Sequence, residues 1–403
     1  MAALVEQLGR IGENDHAGMD RPVYSRAWRE AQDFVAAAMT QAGLSVSQDQ
    51  AGNVFGRLEG QSAEGTVLTG SHIDSVIDGG KYDGALGVLS GLAALETLIA
   101  TGTKPRRPVE VVSLCEEEGS RFPGAAYFGS RAILGLIAEN ELTDLRDAQG
   151  VTIEQAAREV GLDLRQLAEC RRSDIACFLE LHIEQGRRLQ EAEVQIGVVQ
   201  SIAGLKWLKV LVQGQTDHAG ATEMRHRKDA FQGAAAMATA IDAAVRSRGG
   251  VSVATIGQVE VRPGAPNIVP GTVEFTVDFR DTSQSSVDGL ETDIRDACTR
   301  VARDSGLEVT FDLVRDTPPL ALDSSMKHVI EEAVAAGGFT SMPLDSGAGH
   351  DSQTIGKQIP TGMIFVPSRD GRSHSPAEYT SPADCAAGAT VLANALAHLA
   401  WDN

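Results

Sequence analysis

The sequence predicts an α/β fold: a larger domain with a mostly parallel sheet flanked by helices, interrupted by a smaller inserted α+β domain. Three observations carry this. Short β-branched runs alternate with helix-like stretches in the first half of the chain. Between about Leu205 and Pro318 the texture changes to long alternating strands. The earlier buried-strand pattern then returns in "TGMIFVPS", as expected when one domain is inserted into another. At 403 residues the chain also exceeds what one compact core usually supports.

The elements follow in order. The first residues, "MAALVEQLGRIGENDHAG", have no basic start and no long apolar run, so they read as a helix and not as an export signal. "GTVLTGSH", "PVEVVSLCEEEG", "ACFLELHIEQG" and "PTGMIFVPS" read as buried strands, with helices over Ala85 to Thr101 and Ile153 to Leu167 between them. In such sheets ligands gather at the carboxyl ends of the strands, and His72, Glu117, Glu118 and His182 fall at or just past those ends. In the insert, "LKWLKVLVQG", "SVATIGQVEVRP", "GTVEFTVDFRD" and "LEVTFDLVRD" alternate as strands, with helices near Phe231 to Arg246 and Val287 to Ser305. The expected boundaries are 1–204 and 319–403 for the larger domain and 205–318 for the insert.

Composition narrows the function. Lys and Arg number 35 against 55 Asp and Glu, and the formal charge of −20 argues against nucleic acid or an anionic membrane as partner. The longest apolar stretch, "ALGVLSGLAALETLIA", contains Glu96 and small residues, so a buried helix explains it better than a membrane span. Five scattered cysteines without finger spacing argue against a disulfide framework and for a reducing, cytoplasmic setting.

Candidate chemistry begins in "SHIDSVIDGGKYDGALGV". Singly, each acid or histidine there is explained by a polar loop with turn-forming aspartates. "CEEEGSRF" alone is explained by a solvated acidic turn, and "LELHIEQG" by a strand with a partly exposed histidine. Jointly, His72, Asp83, a glutamate among 116 to 118, His182 and His374 each stand beside glycine or at a strand end. Imidazole nitrogen and carboxylate oxygen suit zinc-like ions, and a carboxylate can bridge two of them where an imidazole cannot. Such a pair of ions polarises a carbonyl and acidifies water, and a further carboxylate is needed to take the proton. His16, His226, His328 and His398 stand in contexts that ordinary histidines explain.

The motifs "GSHIDSVIDGGKYDGALGV", "EEGSRF", "LHIEQG", "HAG", "PNIVPG", "DFRD", "SGAGHD" and "GRSHSPAE" occur in one order. In this the chain, from about Gly18 onward, resembles the amidohydrolase and carbamoylase branch of the dinuclear metallopeptidase and acylase superfamily. That branch holds N-carbamoyl-L-amino-acid hydrolases, β-ureidopropionases and allantoate amidohydrolases. "GMDRPVYSRAW", "CEEEGSRFP" before "YFGS", and the terminal "LAWDN" look most like the bacterial allantoate amidohydrolases.

The resemblance implies two divalent metal ions, zinc or manganese with cobalt or nickel as alternatives, held by His72, Asp83, Glu118, His182 and His374, with Asp83 bridging. It implies Glu117 as general base, with Asp74 orienting the ring of His72. It further implies that Gln185, His218, Asn267, Arg280, Gly349 and His350 contact a small ureido or carbamoyl acid. It also makes the larger domain the catalytic domain and the insert a lid and dimerisation domain, so that His218, Asn267 and Arg280 would act in trans within a homodimer. Chemically, Arg280 offers a planar fork to a carboxylate, and His218 can donate to a developing oxyanion.

Two departures stand near the site: Glu223 replaces the family's proline in "HAGATEM", and Arg372 replaces an apolar residue in "DGRSHSP". The competing readings are an N-acyl-L-amino-acid deacylase or dipeptidase of the same superfamily, and a silent small-molecule binding protein. The latter predicts a broken ligand set or a replaced base, and all five ligand positions and Glu117 keep the right residue types.

Overall fold

The computed structural model describes residues 1–63 and 65–401; Asp402 and Asn403 of the "LAWDN" ending lie outside them. Its early strands are β1 (Ser45–Gln48), β2 (Val54–Leu58), β3 (Thr66–His72), β4 (Val109–Leu114), β5 (Ile175–Ile183) and β6 (Ile196–Ile202). Next come β7 (Gly204–Gln213), β8 (Asp217–His218), β9 (Val253–Arg262), β10 (Ile268–Val269), β11 (Thr272–Asp281) and β12 (Glu308–Thr317). The last are β13 (Leu320–Ala321), β14 (Ser341–Ser346) and β15 (Thr361–Val366). Met1–Gln200, Leu322–Leu344 and His350–Asn403 make one compact unit, and Ser201–Ala321 with Asp345–Gly349 make the other. The segment Asp345–Gly349, which the sequence reading leaves in the catalytic domain, joins the second unit because Asp345 accepts from Ser201 Oγ and Gly347 O from Arg280.

In the first unit the sheet is parallel at its centre, where β4, β3, β5 and β15 lie side by side, and antiparallel at β1–β2, β2–β4 and β15–β6. Alternation decides which face receives the polar residues. Val67, Val109, Val111, Cys177, Leu179 and Leu181 point to one core, with the helices Ala85–Ile99, Ser324–Gly337 and Pro382–Ala400. Leu68, Val112, Leu114 and Phe178 point to the other, with Ile133 and Ile355. By the period of two, His72, Glu180 and His182 share this second face. The helix Ala85–Ile99 is buried over most of its circumference, and each leucine so buried is worth about 1.5–3 kcal/mol.

The helix expected over Ile153 to Leu167 is shorter. It runs Ile153–Glu159, because Gly161 takes a left-handed backbone (φ 86°), and a separate tight turn, Leu164–Cys170, restarts beyond it with Asp163 accepting from Arg165 N. No helix among the described residues is long and apolar enough to cross a membrane.

The second unit has an antiparallel sheet ordered β12-β7-β11-β9, with the helices Ala230–Arg248 and Gln284–Ser305 packed on Val273, Phe275, Val277 and Phe279 of β11. The alternation along β11 leaves Asp278 and Arg280 on the opposite face. A two-stranded ribbon pairs β8 with β10 and sets His218 opposite Ile268.

Candidate metal centre

Register brings the first residues together. His72 at the end of β3 is level with Leu114 at the end of β4, so Glu116 to Glu118 follow directly beyond the sheet beside it. His182 near the end of β5 is level with Phe365 of β15. Both rings are oriented from behind: His72 Nδ1 lies 3.0 Å from the carbonyl of Asp74, and His182 Nδ1 lies 2.9 Å from that of Ile183. A carbonyl only accepts, so Nδ1 carries a hydrogen on each ring and Nε2 is the nitrogen that faces the centre, the one available to a cation.

Asp83 sits between the histidines. Its Oδ1 is 3.0 Å from His182 Nε2 and 3.9 Å from His72 Nε2; its Oδ2 is 3.2 Å from His374 Nε2. Glu118 Oε1 lies 3.6 Å from His374 Nε2, and Glu117 Oε2 lies 3.7 Å from His72 Nε2. Ligand atoms therefore converge as two triads, His72–Asp83–His182 and Asp83–Glu118–His374, that share Asp83. Gly84 makes this approach possible, since a Cβ there would lie 2.4 Å from the His72 ring. Gln185, at a left-handed φ of 58°, adds a donor 3.0 Å from Asp83 Oδ2.

A third triad, Glu180–His182–His350, has a different character. Glu180 is fully buried and accepts from Ser71 Oγ, Ser352 N and Ser352 Oγ, and both nitrogens of His182 already face partners. His350 packs edge-on against His182 at 4.5 Å between centroids, and burial, then the charge of His182, holds it well below the usual histidine range. It serves as a neutral wall beside the ligands.

Asp74 meets the ring of His72 through its main chain. Its backbone carbonyl, not its carboxylate, accepts from His72; the carboxylate accepts from the backbone N–H of Glu117 and of Glu118, at 3.3 and 3.2 Å. Sequence reasoning also passed over Arg21, a fully buried guanidinium lowered to about 10 by burial, which donates to Ile73, Leu8 and Ile11 and ties the N-terminal segment to the turn after His72. Glu378, within the quoted "GRSHSPAE", was likewise left without a role. It accepts from Tyr82 N, Asp83 N and Ser373 Oγ.

The remaining sequence candidates lie in the second unit. His218 accepts from Gly220 N at 3.0 Å and Ala221 N at 3.1 Å through Nδ1, so its Nε2 carries the hydrogen. Asn267 precedes Ile268, the partner of His218 across the ribbon, and its carbonyl accepts from Ala219 N. Arg280 is gripped by Asp278 at 2.8 and 2.9 Å and donates to Gly347 O, two residues before Gly349. Of the two departures, Glu223 pairs with Arg225 at 2.6 Å in solvent, and Arg372 is exposed.

Electrostatics show what the centre lacks. Burial, followed by Glu118, Asp351, Asp74 and Asp83, holds Glu117 well above the usual carboxylate range. Burial and then Asp83 push Glu118 up to about 8. Burial alone would raise Asp83 too, but the hydrogen bonds to His182 and His374 outweigh it and hold Asp83 well below that range. His182 rises to about 9 because Asp83 outweighs its burial, and His374 rises to about 9 chiefly through its hydrogen bond to Asp83. This many acids in one buried centre, with imidazole nitrogens aimed inward, fit divalent cations by both charge and donor type.

Three of these shifts share one sign, opposite to that of Asp83. Glu118, His182 and His374 all bind protons more tightly in the folded chain, so their contribution to stability is lost as pH rises: from 4.5 to about 8 for Glu118, and from 6.5 to about 9 for the histidines. Chelator-treated protein is therefore expected to show a falling urea midpoint between pH 6.5 and pH 9. A midpoint that rises over that interval would contradict the assignment.

The sequence pattern of the peptidase family M20/M25/M40 matches residues 68–398, which contain all of these groups on β3, β5 and their loops. The chain belongs to this family. Among its relatives, an N-carbamoyl-L-amino acid amidohydrolase of Geobacillus stearothermophilus is 39% identical over 98% of this chain and 96% of that one. An allantoate amidohydrolase of Bacillus subtilis is 38% identical over the same shares. A solved amidase of the hydantoinase/carbamoylase family from Burkholderia multivorans superposes with a TM-score of 0.88 at 33% identity, over 98% of this chain and 96% of the other. Within the M20/M25/M40 family this chain is an enzyme of the carbamoylase and allantoate amidohydrolase type.

Proposed function

We propose that the chain hydrolyses a linear amide C–N bond in an N-carbamoyl or ureido acid, allantoate or an N-carbamoyl-L-amino acid. The observation that supports this most is the convergence of two ligand triads on Asp83 with Glu117 beside them. His72, Asp83, Glu118, His182 and His374 would hold two divalent ions, zinc or manganese, with cobalt or nickel suited by the same donors. Bound there, they would polarise the scissile carbonyl and acidify water.

The protein's own residues do the rest. Glu117 takes the proton of the attacking water and returns it to the departing nitrogen. His218, its hydrogen held on Nε2 by Gly220 and Ala221, donates to the oxygen of the tetrahedral intermediate. Arg280, oriented by Asp278, binds the substrate carboxylate, and Gln185, Asn267, the Gly349 backbone and His350 complete the contacts. His218, Asn267 and Arg280 are supplied by the partner of a homodimer. Five buried free thiols support a cytoplasmic setting.

The deciding assay is ammonia release by metal-reconstituted protein from allantoate, N-carbamoyl-L-amino acids and N-carbamoyl-β-alanine, with N-acetyl amino acids and dipeptides as controls. Turnover confined to ureido acids is expected. Freed amine from the acyl or peptide controls alone would replace this reading with a deacylase or dipeptidase of the same fold.

A further inference from the structure

The two triads are not held equally well. His72 and His182 are about 1% exposed and rise from neighbouring central strands. The His374 side chain is 51% exposed, stands on a loop at a left-handed φ of 52°, and has no strand beneath it. Something other than the sheet must set its distance from Asp83.

Ser373 Oγ, on the residue before His374, lies 3.0 Å from Asp83 Oδ2, and the group that holds this serine to the Asp83 bend is Glu378, which is 5% exposed. One of its oxygens, Oε1, accepts from Tyr82 N at 2.8 Å and from Asp83 N at 3.0 Å. The other, Oε2, accepts from Ser373 Oγ at 2.7 Å, on the residue before His374. Its own backbone N–H closes a turn onto Ser375 O, so the carboxylate is rigidly attached to the loop it serves. On the opposite side the chain passes over the carboxylate at Gly80, where a Cβ would lie 2.0 Å from it. One buried carboxylate thus fastens together the bend that carries Asp83 and the loop that carries His374. Nearly three hundred residues separate them in sequence.

We propose that Glu378 is a positioning residue for the ion position formed by Asp83, Glu118 and His374: it sets the spacing of Asp83 and His374 without touching the ion, and the position formed by His72, Asp83 and His182, which shares only Asp83 with it, depends on it less. This rests on the metal reading above. The asymmetry is its content, because His72 and His182 take their spacing from the register of the sheet and their tautomers from the carbonyls of Asp74 and Ile183. Outer-shell hydrogen bonds of this kind are worth about 10- to 100-fold in metal affinity.

The test is stepwise zinc titration of metal-free full-length protein against a chromophoric chelator, with the thermal midpoint of the metal-free form measured alongside. The native protein is expected to bind two ions. Glu378→Ala is expected to bind one ion about 10- to 100-fold more weakly and the other with a clearly smaller loss. Glu378→Gln is expected to restore most of the loss, because the amide oxygen can still accept from Tyr82 and Asp83 and the amide nitrogen can donate to Ser373. Ser373→Ala, a milder change, is expected to weaken the same position most if Glu378→Ala does not fold. Equal weakening of both positions, or unchanged affinities in Glu378→Ala and Ser373→Ala, would overturn the inference. A native protein that binds no ion would instead remove the metal reading on which it rests.

Discussion

Glu117→Gln is expected to lose about 10²- to 10⁴-fold in kcat while two metal ions remain bound. The amide fills the same space and leaves the Asp74 hydrogen bonds to the Glu117 and Glu118 backbone in place, so the ligand set is undisturbed. What disappears is a group able to accept and return a proton. Burial and four neighbouring carboxylates raise the proton affinity of Glu117, and its Oε2 stands 3.7 Å from the candidate ligand His72, close to where ions would lie. A base in this position must be proton-hungry enough to take a proton and not so much that it cannot release it. Metal analysis and single-turnover kinetics on one preparation separate the two effects. Full activity in Glu117→Gln would end the assignment, and loss of metal together with activity would make Glu117 a ligand.

The second large effect is complementation between two inactive chains. Glu117→Gln lacks the base, and Arg280→Ala lacks the proposed carboxylate anchor carried by the second unit. If His218, Asn267 and Arg280 serve the partner's catalytic centre, mixing and exchanging the two variants should restore roughly one quarter of native activity, since half the dimers become hybrids with one complete site each. Sites completed within one chain would give no recovery. Native mass spectrometry of the mixture must show hybrids for that negative result to count, and with hybrids present it would refute the trans arrangement.

Neither variant tests the fold, and the fold was the most legible part of the sequence. Apolar residues on both faces of "TVLTGSH" and "VEVVSL" mark central strands, and the alternation in "TVEFTVDFRD" marks a sheet with one covered face. The helix expected over Ile153 to Leu167 shows where such reading stops: its apolar pattern continues across Gly161, but the backbone does not. The centre was legible in its residue types, because histidine and acid at strand ends are a local signal. Asp74 was legible as a partner of His72 but not in which of its atoms would do the work.

Strand periodicity, net charge and the order of motifs were determined by the sequence by itself, since each depends on neighbours a few residues apart or on composition. Only the tertiary structure decided the spacing of the ligand atoms around Asp83, the tautomers of His72, His182 and His218, and the roles of Arg21, Glu180 and Glu378. The physical reason is the range of the interactions. A strand's faces follow from its own period of two, whereas the Glu378 carboxylate meets Tyr82 across 296 positions, and its partners are chosen by where the sheet brings the chain ends.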